Sequence, residues 1–365
     1  MNQITRPTFV VDKQICLQNI EKMAQKAAEN NLRFRPHFKT HQSAQIGEWF
    51  RGFGVEAITV SSVTMAEYFA ANGWNDITIA FPVNILEMEN INRLAAGIRL
   101  NILVENAEGA KVVAEKISHP LGIYIKTDTG YHRTGILSSQ TGAIDSVIKN
   151  ILKNKKLTFK GFLSHTGHTY QARSTDEILS RHFDALIKMK SLKQAYQKDF
   201  PNIEISLGDT PSCSVAKNFE GVDEIRPGNF VFYDLMMQNL GACTFGDVAV
   251  RMVCPVVARH LSRNEIVIYG GAVHLSKEFI LNSNGKRTYG AVEITKNGEK
   301  TILDPLNYVA ALSQEHGILK VEQSQFKNFQ LGDLVEIIPV HSCLTANLAR
   351  NYVTIEGEVI TTANS

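Results

Sequence analysis

Cysteine and tryptophan are scarce: the 365 residues include five of the first and two of the second. Cys16, Cys213, Cys243, Cys254 and Cys343 follow no repeated spacing, which argues against a disulfide framework and a four-thiolate zinc site and fits the cytoplasm. Net charge is small as well, +2 from 38 basic and 36 acidic residues, so no dominant attraction to phosphate backbones is expected and nucleic acid is set aside as a partner. No apolar run approaches the roughly 20 residues that span a bilayer, and MNQITRPTFVVD has no basic-then-apolar leader. Neither a membrane partner nor export is expected. What remains is a chain with 44% hydrophobic residues, long enough for two domains, whose expected partners are small molecules.

Short apolar runs alternate with helical patterns from RFRP and HQSAQIGEWFRG through AITVS, DITIAF, IRLNILV, LGIYIKTD, LTFKGFLSH, IEISLGD and VDEIRPG. Strand and helix in alternation predict parallel strands joined by crossover helices, and eight candidate strands are what a (β/α)8 TIM-type barrel requires. After about residue 240 the pieces become strand-like without regular helices between them, as in DVAVRMVCPVVARH, EIVIYGG, GAVEITK, DLVEIIPV and NYVTIEGEVI. The expected division is a barrel over 13–238 and a mainly β domain built from 1–12 and 239–365.

In such a barrel the chemistry sits at the C-terminal ends of the strands. Lys39 follows the first strand, Asp128, His132 and Arg133 the fifth, and His165, His168 and Tyr170 the sixth. The turns after strands seven and eight, LGDTPSCS and RPGNFVFYD, combine glycines with hydroxyl and amide residues. Either turn alone reads equally well as an ordinary helix cap; their pairing favours a phosphate dianion held by backbone N–H groups. A phosphate anchor opposite a lysine suggests pyridoxal phosphate, and Arg35, His37 and His41 could help lower the amine's pKa.

The ordered set 35-RPHFKTH-41, 128-DTGYHRTG-135, 206-SLGDTPS-212, 224-EIRPGNFVFYD-234 and 339-PVHSCLTANL-348 resembles the fold-type III pyridoxal phosphate enzymes. Within them it resembles the D-serine dehydratase and D-threonine aldolase group, with alanine racemase more distant. The resemblance implies that Lys39 is the Schiff-base lysine and general base. It puts Gly208, Asp209, Thr210, Gly228 and Asn229 around the phosphate, His165 against the cofactor ring, Arg133 near the phenolic oxygen, and Tyr170 and Tyr233 close to ring or substrate. The spacing of Lys126 and Arg133 is also similar to that of racemases. His341 and Cys343 are the expected ligands of a divalent metal, zinc first, and read as positions of one strand, where alternate residues share a face.

These expectations make the chain a lyase on D-amino acids with a 3-hydroxyl group. The H-x-C pair favours a dehydratase, because the aldolases of the group usually carry a carboxylate at the cysteine position. The alternatives are a D-threonine or 3-hydroxy-D-aspartate aldolase, then an amino-acid racemase or a non-catalytic pyridoxal phosphate carrier. The resemblance also implies a homodimer.

Overall fold

Eight parallel strands form the barrel that the alternating pattern predicts: β1 (Arg33–Phe34), β2 (Ile58–Val60), β3 (Asp76–Pro82), β4 (Arg99–Val104), β5 (Leu121–Asp128), β6 (Leu157–Ser164), β7 (Glu204–Leu207) and β8 (Glu224–Ile225). The computed structural model describes residues 4–296, 299–303 and 305–365. Neighbours run β1-β8-β7-β6-β5-β4-β3-β2, and a parallel bridge from His37 to Thr59 closes the ring. In β5 every position except Gly122 is buried, as a parallel strand covered on both faces should be. Three of the helices between strands begin where a side chain accepts a free N–H: Ser62 from Met65, Asn106 from Gly109 and Ser174 from Glu177.

The barrel's N-terminal end is filled by charge. Arg33, Asp76, Arg99, Glu204 and Glu224 are the first residues of β1, β3, β4, β7 and β8. Glu224 receives Arg33 Nε at 2.5 Å, Arg35 Nε at 2.6 Å and Ser206 Oγ at 2.6 Å. Burial opposes ionisation of Glu224, but the Arg35 and Arg33 guanidinium groups outweigh it and hold the carboxyl at about 2. Asp76 pairs with Arg35 and Arg99, and Tyr124 donates to Glu204. With its termini tied in this way, the barrel can leave its other end to irregular loops.

The chain divides into two compact units, Ile20–Lys39 with Gly47–Phe230, and the segment ending at Asn19 with Thr40–Ile46 and Val231–Ser365. The barrel lies in the former. In the latter, Glu265–Tyr269, His316–Lys320, Tyr308–Leu312, Gly290–Lys296, Leu334–Pro339 and Val250–His260 pair in that order. The last returns to the first and closes an antiparallel barrel. Thr8–Val11 adds to Val250–His260 in antiparallel register. The strands Tyr308–Leu312 and His316–Lys320 are not singled out in the sequence analysis. Each is only five residues long, YVAAL and HGILK, and it is pairing with each other, and of the second with Glu265–Tyr269, that makes them a sheet.

Candidate functional site

Lys39 is exposed in the turn after β1, and its neighbours fix that turn. Phe38 is fully buried, with its ring 4.9 Å from Phe50, 5.0 Å from Phe69 and 5.0 Å from Trp74. His37 Nδ1 accepts the Lys39 N–H at 3.3 Å, and His41 Nδ1 accepts the Ser43 N–H at 3.2 Å. The two histidines thus hold backbone. Of the groups expected to help lower the amine's pKa, Arg35 is committed to Glu224 and Asp76, and burial drives His41 down to about 3, so His41 brings no positive charge.

The barrel gathers several of the expected residues around His165, which follows β6. Its Nδ1 lies 2.8 Å from the Gly208 carbonyl, so this nitrogen carries the proton. Burial, with the positive charges of Lys39, Arg133 and Lys126, pushes its pKa well below the ordinary value, and the imidazole is neutral. After β5, Asp128 accepts the N–H groups of Gly130, Tyr131 and His132 within 3.1 Å, shaping the loop that carries Arg133, whose guanidinium lies 4.9 Å over the Tyr131 ring. Lys126 on β5 is buried, and burial with the Arg226 and Arg133 charges lowers its pKa to about 7.

The loops after β7 and β8 touch each other. A Cβ on Gly208 would stand 2.6 Å from the Arg226 nitrogen, so only glycine allows this approach. Asp209 caps the helix Thr210–Val215, accepting Ser212 N–H at 2.8 Å, Thr169 Oγ1 at 2.8 Å and Thr166 Oγ1. Thr210 Oγ1 accepts the Gly228 N–H at 3.3 Å, and the Thr210 N–H points to Tyr170 Oη at 3.4 Å. Asn229 is buried in the second loop. Ser212 Oγ is buried and finds no hydrogen-bond partner among the described residues, a donor that a phosphate oxygen would satisfy. These residues fit a phosphorylated cofactor.

His341, Cys343 and Tyr233 belong to the other unit. The strand placement of the H-x-C pair is corrected: the strand ends at Pro339, His341 is the N-cap of the helix Ser342–Leu348, and Cys343 lies in its first turn. Proline carries no N–H for a ladder, and the buried Asp234 carboxylate accepts Ser342 N–H at 2.9 Å, starting a helix instead. The pair still meets, because His341 hydrogen-bonds Cys343. Burial disfavours its charged form, yet that bond and one to Glu278 push it up to about 11. Cys343 Sγ is 3.2 Å from Thr40 Oγ1, and Thr40 directly follows Lys39 in the chain. Among the described residues no group of three His, Cys, Asp or Glu forms a metal cluster. An imidazole and a thiol in hydrogen-bond contact are nonetheless a donor set suited to zinc, with positions left for water or substrate. Tyr233 is buried at φ +47.

Asp209's partners, Asp234, Thr40 and Glu278 escaped sequence reasoning. Glu278 lies 63 residues before His341, and no spacing rule connects them.

Residues 11–235 match the family model "Alanine racemase, N-terminal domain", and residues 249–355 match "Putative serine dehydratase domain". The D-serine dehydratase of Dictyostelium discoideum is 29% identical over 98% of this chain and 95% of its own length. The D-threo-3-hydroxyaspartate dehydratase of Delftia sp. HT23 is 26% identical over 93% of this chain and 91% of its own length. Its solved structure superposes with a TM-score of 0.89 at 25% identity, covering 98% of this chain and 97% of the other. A cysteine-to-alanine mutant of that enzyme in the metal-free form matches with a TM-score of 0.90 at 25% identity over 98% and 97% of the two chains.

Proposed function

The chain belongs to the alanine racemase N-terminal domain family, in its D-serine dehydratase and D-threonine aldolase group, and on that premise we propose a dehydratase that converts a 3-hydroxy-D-amino acid to a 2-oxo acid and ammonia. The observation that carries the choice of dehydratase is the His341–Cys343 contact in a chain similar to two dehydratases from end to end.

Pyridoxal phosphate is the cofactor of this fold family, and when bound it supplies an electron sink for the charge left at the substrate Cα. Lys39 would hold its aldehyde, and Gly208, Asp209, Thr210, Gly228 and Asn229 its phosphate, with the Ser212 hydroxyl as a further donor. Neutral His165, fixed through Nδ1 on Gly208, can lie against an aromatic ring without competing for its charge. Arg133 supplies a cation for the phenolic oxygen or the substrate carboxylate, and Tyr170 and Tyr233 border ring or substrate. The Lys39 amine would take the α-proton of the substrate. His341 and Cys343 would hold a zinc ion, which would lend Lewis acidity toward the 3-hydroxyl group. Loss of water leaves an enamine that hydrolyses to 2-oxo acid and ammonia. In this reading the enzyme is a cytoplasmic homodimer. Sedimentation at twice 40.6 kDa checks the dimer.

The test is a product assay on D-serine, D-threonine and 3-hydroxy-D-aspartate with cofactor, with chelator, and with chelator followed by zinc. The expected products are 2-oxo acid and ammonia, lost on chelation and restored by zinc. Glycine plus an aldehyde would replace the dehydratase with an aldolase; alanine racemisation indifferent to chelator would exclude both.

A further inference from the structure

We propose that Glu278 is the positioning residue of the metal centre, orienting His341 so that Nε2 is the ligating nitrogen; the inference rests on the metal reading above. Glu278 Oε2 lies 2.6 Å from His341 Nδ1. A carboxylate can only accept here, so Nδ1 carries a proton, and Nε2, the nitrogen left to meet Cys343, is the one that would take a cation in place of its own proton. A carboxylate behind the imidazole also makes it a better donor and removes its freedom to rotate, the division of labour found behind metal-binding histidines generally. Thr40 plays the corresponding part for the other ligand, its hydroxyl standing 3.2 Å from Cys343 Sγ.

The backbone around Glu278 is built to deliver it. The short helix Ala272–Leu275 ends at Ser276, whose φ of 68° and ψ of 176° fall in a region used almost only by glycine. Such a conformation is costly for a residue with a side chain and persists where the surroundings impose it. Here they do: Ser276 N–H bonds the Ala272 carbonyl, and Ser276 Oγ accepts the Glu278 N–H at 3.3 Å. Thr345 Oγ1, two residues beyond Cys343, donates to the Leu275 carbonyl at 3.2 Å. The segment that presents the carboxylate is therefore tied to the helix that presents the ligands. An ordinary surface ion pair needs neither the strained turn nor this tie.

The experiment titrates zinc into chelator-stripped, cofactor-loaded protein against a fluorescent zinc chelator, which reads affinity without turnover. Glu278→Ala should bind zinc roughly 10–100-fold more weakly than the wild type. Glu278→Gln should lose less, because its amide oxygen still accepts the Nδ1 proton, and it serves as the second variant should Glu278→Ala fold poorly. Zinc affinity at the wild-type value in Glu278→Gln and Glu278→Ala, with His341→Ala abolishing binding, overturns the inference and leaves the metal reading standing. Equal loss in Glu278→Gln and Glu278→Ala, matched by an equal fall in thermal midpoint without metal, makes the residue merely structural and overturns it too. A wild type that binds no zinc removes the metal reading and the inference together.

Discussion

Replacing Glu224 by Gln removes one negative charge from the N-terminal end of the barrel and leaves Arg35, 3% exposed, with Asp76 as its remaining ion-pair partner. The ordinary carboxyl value of 4.5 falls to about 2 here, a difference worth on the order of 3 kcal/mol of folding free energy. Because the folded value is the lower one, that stability is fully present above about pH 4.5 and is lost as pH falls toward about 2. Glu224→Gln should therefore be less stable than the wild type by roughly 3–5 kcal/mol at neutral pH, where a buried cation loses its partner. The gap should narrow as pH falls through this window. Both tryptophans, Trp49 and the fully buried Trp74, lie in the barrel unit, so urea unfolding followed by tryptophan fluorescence reports that unit alone. A mutant whose stability tracks that of the wild type in parallel across the whole window would refute the argument, since Glu224 would then contribute nothing that depends on its ionisation.

Gly208→Ala should cost about 1–3 kcal/mol, because its Cβ meets Arg226 backbone, which cannot swing aside, and should weaken cofactor retention measured by absorbance after dialysis. Asp234→Ala strips the cap from the helix that carries Cys343; a loss of about 1–2 kcal/mol in thermal unfolding and weaker zinc binding are expected. Lys39→Ala should lower turnover by roughly 10²–10⁴-fold or more while the far-ultraviolet circular dichroism stays that of the wild type.

Sequence alone determined the barrel, because its evidence is local and repeated: eight apolar runs with helical patterns between them, each readable by itself. It also marked Lys39, the turns at Gly208 and Gly228, and the H-x-C pair, none of them by itself but as an ordered set of short motifs that resembles one family. Tertiary structure decided what those motifs touch. That His37 and His41 hold backbone while Arg35 turns away to Glu224 depends on where β8 lies, about 190 residues later in the chain. That His341 and Cys343 meet at a helix start and not along a strand depends on Asp234, and that His341 has a carboxylate behind it depends on Glu278. A hydrogen bond acts over about 3 Å of space whatever the separation along the chain, so contacts between distant segments leave no periodicity for a sequence to display.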